Sequence, residues 1–172
     1  TYLAESFDGG LETGFTSMSH KGNLETVGGG VDRGTALRVH VRGDTHYGTS
    51  MAYRFQDAEH EEPEELYARY YVKFGDTWDP GRGGKLPGIS GTYRRAGWGG
   101  RSVDGTDGWS ARMGFQRSRV REGETQVFYY TYHADMTGQY GNNFHWDIED
   151  RGSLANGQWY CVETYVKMNT PK

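Results

Sequence analysis

One cysteine, Cys161, stands in the whole chain, so no internal disulfide can hold the fold together. Set in a strand-like pattern, it reads as a small buried residue and not as a nucleophile. No run of about 18 apolar residues occurs, which excludes a membrane-spanning helix. No signal peptide is visible; the sequence opens on Thr1-Tyr2-Leu3 without a methionine and reads as a mature or trimmed chain. Positive charge is not in excess: 19 Lys and Arg face 23 Asp and Glu, for a net charge of -4. Nucleic-acid binding by bulk charge is therefore not expected, and a cationic site for an acidic ligand has to be local. Proline is scarce, at four against 27 glycines, and the glycines have no period of three, so collagen is excluded. Several chemical signatures are missing as well. There is no Ser/His/Asp order and no phosphate-binding Gly-Lys-Ser/Thr. No pair of carboxylates sits on a clear binding face, which argues against a two-carboxylate hydrolase. The acidic run of residues 57–65 around His60 suggests a metal at first sight but reads as a solvated loop, and no metal site is assigned.

What remains is aromatic and glycine-rich. The hydrophobic fraction is only 34%, yet aromatics reach 15%, so 13 tyrosines and five tryptophans must supply much of the buried or binding area. A chain of 172 residues suits one domain with a real core, spanning 1–172. The apolar pattern has period two, not 3.6. Leu37, Val39 and Val41 alternate with Arg38, His40 and Arg42. Met51, Tyr53 and Phe55 alternate next, and these two segments read as a pair joined across the turn at 43–48. The clearest strand is 66–74, with Leu66, Ala68, Tyr70, Val72 and Phe74 on one face and Tyr67, Arg69, Tyr71 and Lys73 on the other. Segments 109–116, 126–134 and 159–169 follow the same rule. No stretch reads as a helix. Residues 75–108 have no strong periodicity and read as a long functional loop. The prediction is an all-β chain, an antiparallel sandwich or jelly roll whose curved polar face makes a concave groove.

Three cationic or phenolic elements can converge on that face. Lys85 stands in Gly83-Gly84-Lys85-Leu86-Pro87-Gly88, a collar of small and stiff residues. Ser110 and Arg112 lie two apart and point the same way, as do Tyr130 and Tyr132. Lysine, arginine and tyrosine together suit β-elimination on a uronic-acid polymer. The C5 proton is alpha to a carboxylate, and its removal requires that the carboxylate's charge be neutralised by Arg or Lys. A base then takes the proton, and an acid protonates the leaving O4. Tyrosine is a weak acid with a pKa of about 10, which neighbouring cations lower. Tyr67, Arg69, Tyr71, Lys73, Arg94, Arg95 and Trp98 are candidate substrate-binding residues, since aromatic rings stack on sugars and cations attract carboxylates. His46, in a turn beside the expected groove, joins them. His133 reads as structural, and His145, near Asp147, Glu149 and Asp150, reads as part of a solvated turn.

The Gly-Gly-Lys-Leu-Pro-Gly run at 83–88, Ser-Ala-Arg at 110–112, Tyr-Thr-Tyr at 130–132 and the closing Val-Lys-Met-Asn-Thr-Pro at 166–171 carry a resemblance. Together they resemble polysaccharide lyase family 14 and its relative, the glucuronan lyases of family 20. That resemblance implies a β-jelly roll and endo-type lyase action on alginate or glucuronan. It implies catalytic roles for Lys85, Ser110, Arg112, Tyr130 and Tyr132: Arg112 and Lys85 for the carboxylate, a tyrosine as base and acid, and Ser110 for positioning. Tyr129 with Thr131 is the alternative pair if a bulge shifts the strand. No cofactor is required, and a structural cation such as calcium is left open. Such proteins usually continue past the Asn-Thr-Pro motif, so further strands are expected beyond Lys172. The expected partner is an acidic polysaccharide, and the protein is expected to be a secreted monomer. A non-catalytic carbohydrate-binding module and a structural jelly-roll domain are the competing readings.

Overall fold

Period-two alternation and glycine turns leave this chain little choice but paired strands. In the computed structural model, which describes residues 1–45, 47–91 and 99–169, every described strand pairing is antiparallel. The only helical pieces described are two single 3-10 turns. No described helix is long and apolar enough to cross a membrane. The chain divides into two compact units, Thr1–Glu64 and Glu65–Lys172.

The first unit holds β1 (Ser17–Ser19), β2 (Leu24–Gly28), β3 (Thr35–Val39) and β4 (Ser50–Ala52). The expected partnership between segments 36–42 and 50–55 is not what forms. β3 pairs with β2, from Leu24↔Val39 to Gly28↔Thr35, and β4 pairs with β1. The turn between β2 and β3 explains the choice. Gly30 N–H donates to the Gly34 carbonyl at 2.8 Å and Gly34 N–H donates to Val31 at 3.1 Å, so the chain reverses there and closes a short hairpin.

The second unit holds β5 (Glu65–Val72), β6 (Gly84–Ser90), β7 (Ser110–Arg117), β8 (Thr125–Tyr132), β9 (Asn142–Phe144), β10 (Ser153–Leu154) and β11 (Tyr160–Lys167). Five of these make one sheet in the order β10-β8-β7-β6, with β9 also paired to β8; β5 and β11 make the other. Alternation decides which faces meet. Met113, Val127 and Leu154 from the five-stranded sheet and Phe74 and Val162 from the β5–β11 side form the buried core. Tyr70, Val72, Phe115, Tyr129 and Tyr160 pack around them. Burying such side chains contributes about 1.5–3 kcal/mol each. The Tyr129 hydroxyl also meets Thr164 Oγ1 across the layers at 3.0 Å. The unit is thus a two-layer antiparallel sandwich.

Two expectations change. The glycine run that carries Lys85 is a strand and not a loop. β6 pairs with β7 through Lys85↔Gly114 and Gly88↔Arg112, with a bulge between. A Cβ on Gly88 would strike the Ala111 carbonyl and the Arg112 backbone, so glycine is what lets β6 lie against β7. Cys161 is exposed, because it falls on the outward face of β11, opposite Tyr71.

Candidate active site

The outer face of the five-stranded sheet collects the chemistry. Leu86 packs into the core, so its neighbour Lys85 points to the other side of β6. On β7 and β8, Met113, Val127 and Tyr129 face the core. Ser110, Arg112, Tyr130 and Tyr132 therefore face outward with Lys85. The register ties them in rows: Ser110 lies opposite Tyr132, and Arg112 opposite both Tyr130 and Gly88. Directly opposed side chains share a face and touch. The structure so brings Lys85, Ser110, Arg112, Tyr130 and Tyr132 together, and it sets Tyr129 and Thr131 on the opposite side.

Contacts within the cluster are specific. Lys85 Nζ sits over the Tyr130 ring, 5.0 Å from its centroid. The two tyrosine rings meet edge to face at 5.6 Å, and their hydroxyls share a hydrogen bond of 3.2 Å. Gly141 N–H donates to the Tyr130 hydroxyl at 3.1 Å. A Cβ on Gly141 would press on both tyrosine rings, so only glycine brings that N–H so close. Tyr132 is 1% exposed and lies in a small cluster with Val103 and Met136, whereas Tyr130 is only partly covered. Tyr130 is the tyrosine a ligand can reach, and Tyr132 holds it from behind. Ser110 is likewise 1% exposed, beside Tyr132, and its hydroxyl has no hydrogen-bond partner among the described residues.

Burial and like charge set the electrostatics. Lys85 is exposed as a residue, yet partial desolvation, and then the positive charge of Arg112, lower its pKa from the ordinary lysine value. Arg112 is lowered by burial. Tyr132 goes the other way from the expected effect of neighbouring cations. Burial first, and then its hydrogen bond to Tyr130, push it up to about 12; Arg112 opposes this without overcoming it. A desolvated phenolate is costlier than the nearby cations can offset.

The remaining candidates fall elsewhere. Tyr67, Arg69, Tyr71 and Lys73 lie on the outward side of the β5–β11 layer and do not join the cluster. The alternation of β5 holds, but its apolar side packs on the core from the other sheet, so they face away from Lys85. There the Tyr67 and Tyr165 rings meet tilted, with centroids 4.5 Å apart, Arg69 Nη2 pairs with Glu163 at 2.6 Å, and Lys73 lies over Trp159 at 5.3 Å. His46, Arg94, Arg95 and Trp98 lie outside the described residues. His133 bonds Asn142 through Nε2 at 2.8 Å. His145 sits with its ring 5.0 Å from that of Phe128, a neighbour of Tyr130 on the same face. Among the described residues no three His, Cys, Asp or Glu side chains gather as a metal ion would need. Sequence reasoning missed Gly141, Val103 and Met136. Gly141 sits in a turn, and the apolar pair has no periodicity to betray it.

Within the cluster Lys85 is exposed and Arg112 and Tyr130 are partly covered, while Ser110 and Tyr132 are buried. A separate hollow sits at the β7–β8 turn, lined by residues 117–123. The sequence model of the family described as Polysaccharide lyase 14 matches residues 33–172, more than half of the chain. Among solved structures, the chain is similar to alginate lyase Aly36B, at 32% identity over 62% of this chain and 42% of that one, with a TM-score of 0.46. A variant of Aly36B in complex with an alginate trisaccharide gives 31% identity over 64% and 45% of the two chains, with a TM-score of 0.49. A further variant, in complex with an alginate tetrasaccharide, gives 31% identity and a TM-score of 0.46. The chain spans less than half the length of these structures. No curated protein matches it.

Proposed function

This chain belongs to the polysaccharide lyase 14 family, and from that premise we propose that it cleaves a uronic-acid polymer of alginate or glucuronan type by β-elimination. The observation that carries the reading is the convergence of two cations and a supported phenol on one sheet face: Lys85 over the Tyr130 ring, Arg112 opposite Tyr130 in register, and Tyr132 bonded to the Tyr130 oxygen.

Each group has a task in that reaction. Arg112 and Lys85 bind the carboxylate of the reacting uronate and neutralise the charge that grows as C5 loses its proton. The Tyr130 oxygen, acting as the phenolate, takes that proton and becomes the phenol. The electron pair from the C5–H bond forms the C4–C5 double bond, and the C4–O4 bond breaks. The proton passes from Tyr130 to the departing O4, so no water is consumed. One group acting first as base and then as acid favours sugars whose C5–H and C4–O4 bonds lie on the same face. Tyr132 and Gly141 act through Tyr130 by fixing its oxygen, and Ser110 packs behind Tyr132. No step requires a cofactor. A cluster spread over three neighbouring strands of one sheet suits the middle of a polymer chain, which supports endo-type action, and a polymeric substrate supports a site of action outside the cell.

Mass balance tests the reaction class. When alginate or glucuronan oligomers are digested, lyase products sum to the mass of the substrate, whereas hydrolysis adds one water per cut. Internal cleavage yields several oligomer lengths from the first turnovers. Products carrying added water would overturn elimination, and tight binding with no products would favour the carbohydrate-binding module.

A further inference from the structure

The active face does not stop at β8. β9 pairs with β8 on the side away from β7, with Tyr130 directly opposite Asn143. Tyr130 has Arg112 as its opposite number on the other side. A row thus runs across three strands: guanidinium, phenol, amide. Neighbouring strands lie about 4.8 Å apart, so the row from Arg112 to Asn143 spans roughly 10 Å, room for more than one pyranose ring. Alternation places Asn142 and Phe144 on the reverse side, where Asn142 Oδ1 meets His133 Nε2 at 2.8 Å and the Phe144 ring meets that of His133 at 5.8 Å. Asn143 is therefore committed to the same face as Tyr130. It is exposed, and its amide has no hydrogen bond among the described residues. His145 continues this flank with its ring on Phe128.

Resting on the lyase reading above, we propose that Asn143 is a substrate-binding residue. Its amide holds the uronate unit next to the one being cleaved, on the flank of Tyr130 away from Arg112. The two flanks differ in kind. Arg112 and Lys85 supply charge where negative charge grows. Asn143 supplies a neutral donor, which can hold a carboxylate or hydroxyl without drawing the reacting carboxylate away from the cations. Its contribution is to binding and length preference, not to proton transfer.

The test compares Asn143→Ala and Asn143→Asp with the control Asn142→Ala, which alters the reverse side of the same strand. Binding of uronate di-, tri- and tetrasaccharides is measured by calorimetry, and KM and kcat on the tetrasaccharide by product formation. Asn143→Asp replaces donors by a like charge and is expected to weaken tetrasaccharide binding about tenfold or more, the weight of one hydrogen bond to a charged group. Asn143→Ala weakens it by a smaller factor. In both, the gain in affinity from disaccharide to tetrasaccharide shrinks and KM rises more than kcat falls, while Asn142→Ala keeps the wild-type values. Unchanged affinity and length dependence in both Asn143 variants would overturn the inference and leave the lyase reading standing. Wild-type binding without cleavage would remove the lyase reading while the calorimetry still decides the role of Asn143. No binding of any uronate by the wild type would overturn both.

Discussion

Tyr130 and Tyr132 are two residues apart, carry the same side chain and share one hydrogen bond, but their surroundings give them different work. Tyr132 is sealed behind Val103 and Met136, and its hydroxyl, held near pKa 12, stays protonated through ordinary alkaline assays. Tyr132→Phe is therefore expected to lower kcat about tenfold with little change in KM, since it removes one hydrogen bond that positions the Tyr130 oxygen. Steady-state kinetics on a single polyuronate reads this split; a rise in KM alone would place Tyr132 in substrate contact instead. Lys85 carries the pH dependence. Its pKa is lowered, so as pH rises it loses its charge before a solvated lysine would, and activity that needs the cation falls on the alkaline side below the ordinary lysine value. Lys85→Arg keeps the charge and should move that alkaline limb to higher pH. An alkaline limb that stays in place in the variant would assign it to another group.

Among the elements, β6 decides whether a site exists at all, since it alone brings Lys85 to the tyrosines. Gly88→Ala puts a methyl against the backbone of β7 and is expected to destabilise the protein by about 1–3 kcal/mol or more, as overpacking does. Thermal unfolding checks this, and a wild-type midpoint would mean that the β6–β7 contact is looser than its register indicates. The strands with long alternation, β5, β7, β8 and β11, were readable because each has one apolar side facing a core. β6 was not readable, because glycine and proline at 83–88 give no period even though the backbone pairs. β9 and β10 are too short to show one. The site followed the same logic. Ser110, Arg112, Tyr130 and Tyr132 could be placed on one face from spacing alone, but spacing cannot say which sheet a strand joins. That is why Tyr67, Arg69, Tyr71 and Lys73 looked like partners of Lys85 and lie on the other layer.

At the scale of the molecule, the net charge of -4 gives no general attraction for a polyanion, so the proposed recognition of a polyuronate has to rest on the local pair of cations. That pair is held up by the core beneath it. Met113, fully buried on β7 next to Arg112, links the active face to the β5–β11 layer. Met113→Ala should cost about 2–5 kcal/mol in denaturant unfolding, with activity lost only as the fold is lost. The most direct test of the account is the initial rate at which ultraviolet absorbance rises on a panel of polyuronates, since the new C4–C5 double bond is conjugated with the carboxylate. The wild-type protein is run beside Tyr130→Phe. The account predicts a rising signal on at least one polymer, and a rate about 100-fold lower or less in Tyr130→Phe, the share of one proton-transfer group, with uronate binding retained. No signal on any polymer, or equal rates in the two proteins, would contradict it.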